Sequence, residues 1–368
     1  RYHAAMGNAR DAAALVWGAV DPDGDLGEAI TLVDRGVGGV VLEPARSGAG
    51  LDPQSLANFI APLKQRAARP LLVAVSQEGG RRSPLGPPFA QLPPMGRVGL
   101  AGDLQLAPTI GDLLGKELRA VGIDANLAPV LDVDTREDNP LVGDRSFGIS
   151  PPICSAFACG VLEAMQGRGV AAIGRHFPGL GDLADDPRET PCRIEHDWDR
   201  LDAVELPPFF NAIHRGIAGL LVGHARFDAI DPDRPASQSA TLIDESLRNR
   251  LEFEGLVLSE DVAQPAAGQD AGTAAARAVV AGCDAVLLGG VTEDRGETLD
   301  AVIAAIEQAI ASGHLPPARL QNARRRRDTL AAAYVRAPAP AREADLSCMG
   351  SNEHRQAVDR VWAACESR

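Results

Sequence analysis

The chain has 368 residues, 45% of them hydrophobic, enough for one large core. Acidic residues outnumber basic ones 50 to 36, for a net charge of −14. That balance argues against a nucleic-acid backbone or an anionic membrane surface as a partner, and no apolar run approaches the roughly 18 residues of a membrane span.

Eight short β-rich runs follow one another along the chain: 14–20, 38–43, 71–76, 126–134, 170–176, 219–225, 255–261 and 284–290. Helical patterns lie between and after them, at 26–36, 52–68, 104–121, 151–168, 203–216, 240–253, 272–282 and 297–312. The runs are almost continuously apolar, as strands buried on both faces are. Eight strand–helix units predict an α/β fold of the (β/α)8 barrel type over residues 10–335, a fold that needs roughly 250 residues. An open doubly wound sheet is the alternative, but no GxGxxG fingerprint follows the first run. Residues 315–335 read as one more helix, with the basic run Arg324–Arg327 on a solvated face. Residues 336–368 read as a C-terminal extension: a Pro/Ala-rich stretch, 337–347, then an amphipathic helix over about 352–366.

Six cysteines (154, 159, 192, 283, 348, 365) form no CxxC pair, zinc spacing or disulfide framework. Cys154 and Cys283 lie in apolar segments and read as small core residues. A reduced cytoplasm is the default expectation, although a chain that starts at Arg1 leaves a removed leader open. Neither HExxH, a GxSxG elbow nor a Walker loop occurs, so no metal or other cofactor is expected.

In such barrels the chemistry sits where strands end. The third run delivers Ser76, Gln77, Glu78 and Arg81; the fourth, Asp132 and Asp134, with the loop 143–148 after it; the fifth, Arg175 and His176; the sixth, His224 and Arg226; the seventh, Glu260 and Asp261. Carboxylates with arginines and histidines to hold hydroxyls are the equipment of glycoside cleavage. In a regular strand Asp261 points away from Glu260. Aromatic content is 4%, leaving Trp17, Trp198, Phe147, Phe177 and Phe227 as the residues to stack on a sugar or, more simply, to fill the core.

QEGGR (77–81), NLAPVLDVD (126–134), GDRSFG (143–148), RHFPGLGD (175–182), ETP (189–191), DPDRPAS (231–237) and LSED (258–261) together resemble glycoside hydrolase family 3. The branch they resemble is that of single-domain bacterial β-N-acetylhexosaminidases. The resemblance implies a retaining double displacement on β-linked N-acetylglucosamine, commonly in peptidoglycan recycling, with a small sugar as partner and no metal. It implies that Arg145 and His176 hold sugar hydroxyls, with Arg175, Ser76, Arg81, His224 and Asp261 as further substrate-binding candidates around them. Glu260 stands where the family nucleophile is Asp, and one extra methylene displaces the carboxylate by about 1.5 Å. Pro187 stands where the family carries its acid/base His, and proline transfers no proton. Asp185 or Asp186 would then be the donor, although an exposed Asp with a pKa of about 3.9 is a poor acid at neutral pH. Ser76, Arg175 and Leu180 also replace the family's Asp, Lys and His. These departures leave three expectations: an altered hydrolase, a sugar-binding protein without turnover, or a barrel repurposed for other chemistry on a sugar-like ligand. Oligomeric state stays open.

Overall fold

The computed structural model describes residues 11–44, 51–290, 295–336 and 344–366. Eight parallel strands close into a barrel: β1 (Val16–Val20), β2 (Gly39–Leu42), β3 (Leu72–Val75), β4 (Ala125–Asn126), β5 (Ala171–Phe177), β6 (Gly219–Val222), β7 (Leu256–Asp261) and β8 (Ala285–Leu288). They run around the barrel in chain order, with β8 pairing β1. Helices separate them: Leu26–Asp34, Pro53–Arg66, Leu106–Ala120, Pro151–Gly167, Leu206–His214, Thr241–Arg250 and Ala271–Ala281, with Arg295–Ala311 after β8. The segment Thr241–Arg250 is wound as a π-helix rather than an α-helix. Sequence sets several helix starts directly: Asp52 accepts a bond from Ser55 N at 2.8 Å ahead of Pro53, and Asp270 accepts one from Thr273 N at 2.9 Å.

The apolar runs divide between two faces. Trp17, Val41, Leu72, Ala74, Ala125, Leu127, Ala171, Ile173, Leu221, Leu256, Leu258, Ala285 and Leu287 form one buried cluster, the barrel interior. The alternate residues pack outward against the helices. Leu330 and Ala331 of the helix Pro317–Tyr334 close the bottom of the interior. Carboxylates at strand starts tie the bottom rim together: Asp124 to Lys64 and Arg119, Asp284 to Arg248, Arg319 and Arg326. The basic run therefore corrects the sequence reading. Arg324 and Arg325 are solvated, but Arg326 and Arg327 are largely buried, because the helix turns that side to the barrel.

The run 126–134 is also shorter as a strand than its composition suggests. Only Ala125–Asn126 pairs regularly, with Val130 making one isolated bridge to Arg175. Pro129 has no N–H to give to a ladder. Beyond β6 the chain leaves the barrel: Arg226–Phe227 pairs with Arg193–Ile194 in a separate two-stranded ladder. Of the Pro/Ala-rich stretch, 337–343 lies outside the described residues. The last helix, Asn352–Glu366, packs against Met95–Ala101 and Leu106–Ala120. His354 pairs with Glu117, and Trp362 Nε1 donates to Gln91 O at 2.7 Å. Among the described residues no helix is long and apolar enough to cross a membrane.

Candidate active site

A cavity of about 600 Å³ opens at the C-terminal ends of the strands. Its floor includes Leu127 and Leu287, which belong to the interior cluster. Ser76, Arg82, Arg145, Arg175, His176, Leu180, Pro187, Arg188, His224, Glu260 and Asp261 contribute to its walls.

Two β-bulges shape it. On β5, Arg175 pairs with Leu221 and Phe177 with Val222, so His176 is the extra residue. On β7, Ser259 pairs with Val286 and Asp261 with Leu287, so Glu260 is the extra residue. A bulge breaks the strict alternation of side chains. Arg175 and His176 both line the cavity, as do Glu260 and Asp261. The expectation that Asp261 turns away from Glu260 fails for this reason. Its carboxylate is occupied, however: Oδ1 accepts from Ala263 N at 3.0 Å and Gly289 N at 2.9 Å. Burial raises the Asp261 carboxyl above its usual pKa, against those two bonds.

Glu260 is the freer carboxylate. Its Oε2 lies 3.8 Å from His176 Nε2. Burial would raise its pKa, but the fields of His176, Arg175 and His224 outweigh that and hold it below the ordinary value. Arg175 supplies this field at any pH at which it is charged; the histidines supply theirs only when protonated. Burial lowers the pKa of both His176 and His224, and brings Arg175 to about 10.

Asp132, fully buried, positions His176. Its Oδ2 sits 2.7 Å from His176 Nδ1, and Oδ1 accepts from Leu180 N at 2.7 Å. A carboxylate partner requires the proton on Nδ1, which leaves Nε2 of the neutral ring as an acceptor facing the cavity. His224 is held differently: Nδ1 lies 2.7 Å from Ser237 Oγ and Nε2 2.9 Å from Asp261 O. The carbonyl assigns the proton to Nε2 there.

Glu78, buried beneath the cavity, is shared by two guanidiniums. Arg145 grips it with two bonds of 2.9 and 2.8 Å, and Arg175 Nη2 donates to the same carboxylate. Arg175 also donates to Ser76 Oγ at 3.1 Å. The turn beyond Glu78 depends on Gly79 and Gly80, at φ 113° and 55°. Arg81 does not line the cavity; it pairs with Asp144 at 3.0 Å and donates to Val142 O at 3.1 Å, holding the 141–145 loop.

The loop after β5 differs from expectation. Pro187 and Arg188 line the cavity; Asp185 and Asp186 do not. Asp185 is exposed. Asp186 is bound to Arg188, whose hydrogen bonds hold the Asp186 carboxyl below its usual pKa. Pro187 O accepts from Ala266 N at 3.2 Å, tying this loop to the one after β7. Trp17, Phe147, Phe177 and Phe227 are all core, Trp198 lies under Arg250, and none of the five lines the cavity. Arg226 pairs with Asp228 away from it. Glu43, Arg82 and Arg188, none of them among the expected site residues, also line the cavity. Glu43 was visible as a polar residue closing the second run; the two arginines carried no signal. Among the described residues no cluster of His, Cys, Asp and Glu is arranged to hold a metal ion.

A carboxylate beside guanidiniums and imidazoles suits attack at an anomeric carbon. Set at the C-terminal mouth of a parallel barrel, it defines a glycosidase-type protein. The family described as Glycosyl hydrolase family 3 N terminal domain matches residues 24–330, and the chain belongs to that family. A beta-hexosaminidase of Nitrosomonas eutropha is 35% identical over 260 residues, covering 68% of this chain and 73% of the relative. One from Methylococcus capsulatus is 36% identical over 244 residues, covering 64% and 72%. Among solved structures, a glycoside hydrolase family 3 β-N-acetylglucosaminidase from Paenibacillus sp. superposes with a TM-score of 0.88 at 30% identity, covering 97% of this chain and 68% of its own. A β-N-acetylhexosaminidase from Beutenbergia cavernae gives 0.79 at 27% identity, covering 88% and 98%.

Proposed function

We infer that the chain is a glycoside hydrolase acting on β-linked N-acetylglucosamine or a related amino sugar, with Glu260 as its nucleophile or base. The observation that carries this is the Glu260 carboxylate at the barrel mouth, 3.8 Å from His176 Nε2 and on the same cavity wall as Arg175. The names of the relatives support the substrate class. In this reading Glu260 attacks the anomeric carbon, the glycosidic bond breaks toward the aglycone oxygen, and water releases the sugar from the ester. Arg145, Arg175, His176 and Ser76 hold ring hydroxyls. His224, Asp261 and Arg81 fix the wall. Asp185 or Asp186 donates a proton only if the 182–191 loop turns inward and the Asp186–Arg188 pair breaks.

The test is turnover of an aryl β-N-acetylglucosaminide by the native chain and by Glu260→Gln. Loss of turnover in the variant is expected; turnover that survives it removes Glu260 from the mechanism. A second reading, sugar binding without turnover, is favoured by one observation: the cavity wall at the family's acid/base place is Pro187, with both nearby aspartates outside the lining. Calorimetric binding of an amino sugar without any turnover would select it.

A further inference from the structure

Four guanidiniums line the cavity, those of Arg82, Arg145, Arg175 and Arg188. Three of them have carboxylate partners: Arg145 and Arg175 share Glu78, and Arg188 holds Asp186. Arg82 has none within ion-pair distance among the described residues. It is half-buried in the turn after β3, its backbone fixed by Glu78 N to Arg82 O at 3.0 Å and Arg82 N to Gly79 O at 3.3 Å. Its charged neighbours are chiefly of its own sign. Burial lowers its pKa first, and Arg145, Arg188 and Arg81 push the same way, against the more distant charges of Glu260 and Asp186.

A half-buried guanidinium with no direct ion pair keeps its charge and its N–H donors open to a ligand. A neutral sugar does not use that charge fully, because in this reading hydroxyls are served already by Arg145, Arg175 and His176. An anionic group does, since guanidinium binds carboxylate and phosphate in matched, charge-assisted pairs. Arg188 lines the same wall, so two guanidiniums stand on one side of the cavity, across from Glu260. We propose that Arg82, with Arg188 beside it, forms a subsite for an anionic substituent, a carboxylate or phosphate carried by the sugar ligand. This rests on reading the cavity as a sugar site.

Titration calorimetry on the full chain tests it, with N-acetylglucosamine, its 1-phosphate, its 6-phosphate and the corresponding 6-uronic acid as ligands. At least one anionic form is expected to bind about tenfold more tightly than the neutral sugar, which is a factor of ten in Kd. Which form gains tells phosphate from carboxylate. The preference should shrink at high salt and disappear in Arg82→Met, with Arg82→Lys retaining part of it. A neutral sugar that binds as well as every anionic form overturns the subsite and leaves the sugar reading intact. A preference unchanged in Arg82→Met overturns it too. Failure of all four to bind removes the sugar reading and the subsite with it.

Discussion

Glu260 Oε2 and His176 Nε2 face each other at 3.8 Å, and each residue is the unpaired member of a bulge on its own strand. The pair is therefore set by two independent register shifts. A bulged residue can be re-aimed without disturbing the ladder on either side, which makes carboxylate length at 260 a direct probe of the site. Glu260→Asp withdraws the carboxylate by about 1.5 Å. On the hydrolase reading it lowers kcat by about 10²-fold, with Tm near native. An increase instead would mark Glu260 as the change that disabled an older active site.

Asp132 acts through His176. Asp132→Asn keeps one oxygen, held by Leu180 N, and puts an amide N–H donor where the carboxylate keeps the proton on Nδ1. The imidazole is then free to protonate Nε2, turning an acceptor into a donor. A loss of about 10- to 100-fold in kcat/KM is expected, by analogy with residues that orient a ligating imidazole. A changed 15N shift pattern at His176 separates this from simple unfolding.

Without a proton donor in the wall at Pro187, departure of the aglycone depends on its own acidity. Nitrophenyl glycosides should react about 10² to 10⁴-fold faster than alkyl glycosides, the range a positioned acid normally supplies. Asp186→Asn should leave both near native, and Pro187→His should raise the alkyl rate selectively. A flat dependence on leaving-group pKa would instead place a working acid in the cavity, with Glu43 the first to mutate.

Glu78→Gln leaves two buried guanidiniums with no anion between them. Breaking one side of a buried pair typically costs about 3–5 kcal/mol. A drop in Tm is expected, measured by thermal unfolding.

His224 is buried with its folded pKa below the usual 6.5. As pH falls below that value the unfolded chain takes up a proton that the folded one refuses. Stability from this group is thus fully present above about pH 6.5 and is lost on acidification toward the folded pKa. His176 acts with the same sign. The Tm should fall from pH 7 to 5, and His224→Gln should show a shallower fall over that interval.

The barrel was legible because strands buried on both faces must be apolar throughout, and eight such runs with intervening amphipathic segments leave few architectures. The rim was legible in outline for the same reason: a polar residue ending an apolar run marks a strand mouth, as at Ser76, His176 and Glu260. Register was not legible. A bulge is a relation between two strands, so neither His176 nor Glu260 announces it, and strict alternation alone turns Asp261 away from the cavity it lines. Nor does sequence tell which carboxylate is already engaged. Asp186 reads as a candidate acid until Arg188, two residues on, is seen to hold it. Arg82 carries no mark in the sequence, and only the closed barrel places it on the cavity wall.

The bond from Ala266 N to Pro187 O, 3.2 Å long, joins two loops that approach the cavity from different strands. Together they behave as one hooped rim segment rather than as separate flaps. An attempt to transplant a longer acid-bearing loop after β5 would pull on the chain just beyond Glu260, so the grafted piece has to bring its own version of residues 264–267 for the carboxylate to stay where it is.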